Sequence, residues 1–305
     1  MQKVLLIILD GWGIAPLNEE NVFTTVKTPT FDHLVSMYPI TALHASGAEV
    51  GLADGEVGNS EAGHWNLGTG QRFRPEIWQK VMIQSTTSIG EVIGRAGKRQ
   101  LHLSETEKYV HVTYFFNGGH SSPFPGEDDQ LVPSPKVSSY DEKPAMSLSL
   151  ITRRLTAALT AQSYEFIVVN VPNLDIVAHT GNGAAVGEAL RVADRSLRVM
   201  TATALTGGYT TLIVADHGNI EHIVRRETAT PDRRHTLAPV PCILIRKDLE
   251  GKGFRGMPAV TRDLSVLPTS GALRDVPVTI LELLGLEKPM GMQGRSLLSL
   301  IPTAL

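Results

Sequence analysis

VLLIILD, residues 4–10, is six apolar residues followed at once by a carboxylate, Asp10, and then Gly11. Buried strands of a parallel sheet read as continuous apolar runs, not as alternating ones. Four more runs read the same way: VHVTYFF at 110–116, FIVVNV at 166–171, TLIVADHG at 211–218 and VPCILI at 240–245. Between them lie stretches with apolar residues at three-to-four spacing, at 145–161, 184–205 and 276–286, the last ended by Gly285. That spacing predicts helices with one buried face. Strands alternating with helices predict an α/β fold with a mostly parallel sheet. The segments 45–70, 117–139 and 246–270 read as loops.

The chain has 305 residues, 42% hydrophobic and 19% charged, with a formal net charge of -3. This is globular composition, with no basic excess to attract nucleic acid. The lone cysteine, Cys242, cannot form an internal disulfide and reads as a small buried hydrophobe. No apolar run reaches membrane-spanning length, and the run at 4–9 is too short for a signal-peptide core. The expectation is a cytoplasmic protein acting on a small soluble partner, without nucleic acid or membrane.

Polar residues gather where the predicted strands end. Asp10 closes the first; Asn170, Asn173 and Asp175 follow the third; Asp216, His217 and Gly218 end the fourth. Ligands of open α/β sheets bind at the carboxyl ends of strands, so these motifs are expected on one edge. Asp175 and His179 are four apart, one face of a helix, a spacing shared by metal ligands and by surface hydrogen-bonded pairs. Asp216 and His217 can reach one ion only if the chain turns, which Gly218 permits. Asp10 reads equally as a helix cap or a metal ligand, and His235 is unremarkable by itself. Ser60, in DGEVGNSEAGHWNLGTG, has glycines on both sides and precedes a plausible helix start, where free N–H groups favour a phosphate.

Together these segments resemble the cofactor-independent phosphoglycerate mutases of the alkaline phosphatase superfamily. The resemblance rests on LDGWG, TPTFDHL, GEVGNSEAGHWNLGTG, ETEKYVHVTYFFNGG, PFPGED, PSPKVSSYD, NVPNLDIVAHTG, ADHGN, HT and GMQGRSLL, in that order. It implies a three-layer α/β/α sandwich. It also implies two divalent metals, one on Asp175, His179 and His235 and one on Asp10, Ser60, Asp216 and His217. Ser60 would be the phosphorylated nucleophile and Lys108 a phosphate contact. The family favours manganese; carboxylate and imidazole donors also suit zinc, with magnesium at the oxygen-richer site.

The family carries a second, substrate-holding domain between the serine segment and the lysine segment. Here only residues 71–104 separate them. The expectation is therefore one catalytic domain over 1–305, with 75–88 a short replacement for the insertion. Without that domain a phosphoserine would be open to water, so the leading expectation is a phosphomonoesterase. A mutase-like phosphotransferase is the second reading, with Arg72, Arg74 and Lys80 gripping an anionic group or standing as a solvated charged face. A non-catalytic binding remnant is the third, and homo-oligomerisation could cover the uncovered surface.

Overall fold

The computed structural model describes residues 2–74, 86–225, 228, 230–253 and 263–300. Most of the segment 75–88, with Lys80, lies outside the described residues.

The elements, in chain order, are β1 (Lys3–Leu9), α1 (Pro29–Met37), β2 (Ile40–His44), α2 (Ser60–Thr69), α3 (Ile89–Arg95), β3 (Gln100–Glu105), β4 (Glu127–Val132), α4 (Leu148–Ala161), β5 (Phe166–Val171), α5 (Asn173–Ala178), α6 (Gly183–Thr206), β6 (Tyr209–Val214), β7 (Val224–Arg225), β8 (Thr230–Pro231), β9 (Val240–Ile245), β10 (Thr269–Ala272) and α7 (Asp275–Leu283). Eight strands form one sheet in the order β10-β2-β9-β6-β1-β5-β3-β4; β7 and β8 pair as a separate ribbon. All neighbours in the large sheet are parallel except those of β9, which runs antiparallel to β2 and β6. One helix group packs α6 against α1, α4 and α5; another packs α2 against α3 and α7. The sheet lies between them as the middle layer of the expected α/β/α sandwich.

The apolar runs explain the centre. Val4–Leu9 of β1 are fully buried, as are Phe166–Val169 of β5. Strands covered on both faces cannot alternate, which is why the sequence shows unbroken apolar runs. Cys242 is buried in β9 as a hydrophobe. Among the described residues no helix is long and apolar enough to cross a membrane.

Two expectations fail. Residues 110–116 are not a strand: His111–Phe115 form a π-helical turn, and the strand is Gln100–Glu105. The buried residues Val112, Phe115 and Phe116 are spaced three and four apart, a helical face. The real strand hid because Gln100, His102, Ser104 and Glu105 are polar yet fully buried. The segments read as loops also hold regular structure: α2 begins at Ser60, β4 spans 127–132, and β10 begins at Thr269.

Candidate metal centre

Topology brings the motifs together before any side chain is considered. In the parallel ladders Leu9 stands beside Val171, and Ile8 beside Val214. The residues that follow, Asp10, the turn into α5 and Asp216, therefore leave the sheet at one edge. β3 ends at the same edge and delivers Lys108 through a short 3-10 turn. Ser60 opens α2, whose cap is Asn59 accepting from Ala62 N–H. The helix lies hard against the β6 loop: a Cβ on Gly63 would sit 2.5 Å from the Asp216 carbonyl oxygen.

All eight residues expected at the site converge. Lys108 Nζ lies 2.8 Å from Asp10 Oδ1, 2.7 Å from Asp175 Oδ2 and 2.6 Å from Ser60 Oγ. Asp175 Oδ1 and the Nε2 atoms of His179 and His235 form a nearly equilateral triangle, with edges of 3.2, 3.2 and 3.1 Å. Around His217 Nε2 lie Ser60 Oγ at 3.0 Å, and Asp10 Oδ1 and Asp216 Oδ2 each at 3.5 Å. The His217 and His235 rings stack with centroids 3.8 Å apart, joining the two groups. His235 reaches the site because its loop is bridged to the β6 turn, Gly218 against Thr236. Gly218 serves close approach there: an added Cβ would lie 2.4 Å from Thr236 Oγ1.

These donors fit metal ions. His179 Nδ1 faces the Arg233 carbonyl and His235 Nδ1 the Gly58 carbonyl, each at 2.8 Å. Each Nδ1 then carries the proton, and both Nε2 lone pairs point at one another and at a carboxylate. Imidazoles oriented by a backbone carbonyl, with Nε2 free, are the usual arrangement of metal-binding histidines. A divalent ion about 2.1 Å from each donor would span edges of the observed size. At the other group Asp216 Oδ2 is buried with no hydrogen-bond partner. Three buried carboxylates, Asp10, Asp175 and Asp216, face a single ammonium, Lys108.

The charges bias one another. Burial alone would lower the Lys108 pKa, but Asp10, Asp175 and Asp216 outweigh it and raise it, so the ammonium persists. Burial would raise Asp175, yet the Lys108 ammonium holds it well below the usual range. Asp216 is likewise lowered against its burial, by His217 and His64. Burial pushes the His217 imidazole down, against the opposing pull of Asp216 and Asp175.

Behind the donors lies a layer of residues in which Asn170 was expected at this edge and His64 and Asn219 were not. Asn170 Nδ2 donates to Asp10 Oδ2 at 2.8 Å and to His64 Nε2 at 3.0 Å. His64 Nε2 is thus an acceptor, and its Nδ1–H points to the Ser60 carbonyl at 2.9 Å, with Asp216 Oδ2 at 3.3 Å. Asn219 Nδ2 donates to Asp175 Oδ1 at 2.8 Å. Asp10 and Asp175 therefore each accept from a fixing asparagine, while Asp216 Oδ2 keeps no hydrogen-bond partner. The sequence held signals for two residues of this layer. His64 stands four residues after Ser60, one turn along the same helix, and Asn170 is the polar residue in an otherwise apolar strand.

Residues 2–288 match the family model described as the Metalloenzyme superfamily. The 2,3-bisphosphoglycerate-independent phosphoglycerate mutase of Chloroflexus aggregans is 46% identical over 213 residues, 70% of this chain and 38% of the relative. The enzyme of the same name from Synechococcus sp. strain JA-2-3B'a(2-13) is 47% identical over 210 residues, 69% of this chain and 38% of the relative. This chain thus spans well under half the length of the curated relatives it matches. In fold, it is similar to Leishmania mexicana phosphoglycerate mutase, at a TM-score of 0.80 and 17% identity, covering 96% of this chain and 97% of that one. It is similar also to alkaline phosphatase from the Antarctic bacterium TAB5, at 0.55 and 12%, covering 94% and 98%.

Proposed function

The chain belongs to the Metalloenzyme superfamily, and from that premise we propose that it transfers a phosphoryl group from a small phosphate monoester through a phosphoserine at Ser60. The observation that carries this reading is the placement of Ser60 Oγ, 3.0 Å from His217 Nε2 and 2.6 Å from Lys108 Nζ, at the junction of the two donor groups. Asp175, His179 and His235 would hold one divalent ion; Asp10, Ser60, Asp216 and His217 would hold the other. Nitrogen and oxygen donors without thiolate suit manganese or zinc. Bound there, the ions supply Lewis acidity and offset the charge of three carboxylates and an incoming phosphate.

The protein's own groups do the rest. Ser60 gives up its hydroxyl proton to solvent, Oγ attacks phosphorus, the bond from phosphorus to the ester oxygen breaks, and the alcohol departs with a proton from solvent. The Lys108 ammonium neutralises charge on the attacking oxygen and on the phosphoryl group, in a site where Asp10, Lys108 and Asp216 are almost wholly shielded from water. Ser60 stands at the N-terminus of α2, whose uncapped N–H groups also favour an anion. A second attack, on phosphoserine, regenerates the hydroxyl.

The acceptor in that second attack is the finer question. Water is the acceptor favoured by the short segment 71–104 between the serine and lysine segments, where the family this chain resembles carries a substrate-holding domain. An alcohol is favoured by the 46–47% identity to enzymes named as mutases. A panel of phosphate monoesters including 3-phosphoglycerate, with manganese, separates them. Phosphate release that depends on metal and Ser60 supports the phosphatase; isomerisation without release supports the mutase. Metal-dependent turnover that survives Ser60→Ala would sink both.

A further inference from the structure

Glu221 lies in ADHGNIEHI, five residues after Asp216, and is 1% exposed. Its carboxylate meets three of the segments that carry the donor atoms, those of Asp10, of Asp216 and His217, and of His235. Oε2 accepts from Gly13 N–H at 3.0 Å, in the loop that begins with Asp10. The same oxygen accepts from Asn219 N–H at 2.9 Å, in the loop that holds Asp216 and His217. Oε1 accepts from the Thr236 hydroxyl, next to His235. Asn219 extends the connection through its side chain to Asp175. The fit leaves no slack: a Cβ on Gly13 would lie 2.2 Å from Oε2, and one on Gly218 would lie 2.6 Å from Oε1.

We propose that Glu221 is a positioning residue that fixes the spacing of the two metal-binding groups by clamping the Asp10, Asp216 and His235 loops onto one carboxylate. The inference rests on the proposed two-metal site. Its reach, not its charge, is what matters. The carboxylate must extend to Gly13 and Asn219 on one side and Thr236 on the other. Backbone bonds also join these loops, Ile220 N–H to the Gly11 carbonyl and Thr236 N–H to the Gly218 carbonyl, each at 3.0 Å. The competing outcome is that these bonds suffice and Glu221 is only a satisfied buried acid.

Calorimetric titration of the whole chain with manganese separates the two. Glu221→Gln keeps the length, its amide oxygen accepting from Gly13 and Asn219 N–H while its NH2 donates to the Thr236 oxygen, and should retain wild-type affinity for both ions. Glu221→Asp keeps the charge but shortens the reach, and should weaken at least one ion by about 10–100-fold, as loss of an outer partner does. Thr236→Val cuts the link to the His235 loop, with the bond from Ala238 N–H to the same hydroxyl, and should weaken one ion and spare the other; it carries the test alone if Glu221→Asp does not fold, as judged by melting in chelator. Wild-type affinities in Glu221→Asp, or equal weakening in Glu221→Gln and Glu221→Asp, would overturn the assignment. If the wild-type chain itself takes up no manganese, the two-metal reading falls and this inference with it, a result distinct from failure of the clamp.

Discussion

Replacing Lys108 with methionine should destabilise the protein strongly in chelator and much less with metal. The ammonium is 4% exposed and makes three contacts of 2.6–2.8 Å, to Ser60, Asp175 and Asp10. Methionine fills the stem but leaves Asp10 and Asp175 without their shared cation. Removing one partner of a buried ion pair costs about 3–5 kcal/mol, because the remaining charge stays desolvated. With an unfolding entropy of about 2.1 cal/mol/K per residue, a chain of 305 residues loses roughly 5–8 °C in Tm. Divalent ions bound to the same carboxylates supply the missing charge, so the deficit should shrink on adding manganese. The assay is a pair of thermal melts, in EDTA and in manganese, for wild type and Lys108→Met. An equal deficit in both conditions would refute the reasoning, since Lys108 would then be holding something other than a metal-facing carboxylate cluster. Activity should fall with metal present, by about 10²–10³, as when a charge-stabilising donor is removed.

Ser60→Ala should lose phosphoryl transfer by on the order of a thousandfold or more while calorimetry still finds an ion on Asp175, His179 and His235. Gly63→Ala places a methyl 2.5 Å from the Asp216 carbonyl oxygen; denaturant unfolding should show about 1–3 kcal/mol lost, with weakened metal binding. Burial pushes the Glu105 carboxyl up to about 7, against opposing bonds from Ser147 N–H and the Ser134 hydroxyl. The unfolded chain releases that proton near the ordinary 4.5 and the folded chain holds it to about 7, so Glu105 lowers stability progressively as pH rises through that window. Glu105→Gln should thus be more stable than wild type at pH 8, by up to on the order of 3 kcal/mol, with the difference shrinking in melts toward pH 5.

What was legible in the sequence was whatever a buried central strand cannot disguise. β1, β5, β6 and β9 are nearly pure apolar runs, and each changes to polar residues where it leaves the sheet. The donor residues were legible because they stand at those changes, with the resemblance adding His235 and Lys108, which local pattern left unremarkable. β3 was not legible: Gln100 and His102 face buried partners, the Gly90 and Val112 carbonyls, so a core strand carries polar letters. The π-helical turn after it was misread because β-branched and aromatic residues favour strands only where packing agrees. Asn219 and Glu221 reach partners 44 and 208 positions away, and no local pattern reports such distances.

The account's central claim is that Ser60, held in a two-metal centre, takes the phosphoryl group. The most direct measurement is peptide mass spectrometry after rapid acid quench of the protein mixed with 3-phosphoglycerate or another accepted phosphate monoester, in manganese and in EDTA. The account predicts one added phosphoryl group on the peptide containing Ser60, present with manganese and absent with EDTA. Turnover of the ester with Ser60 unmodified throughout, or phosphate found on another residue, would contradict it.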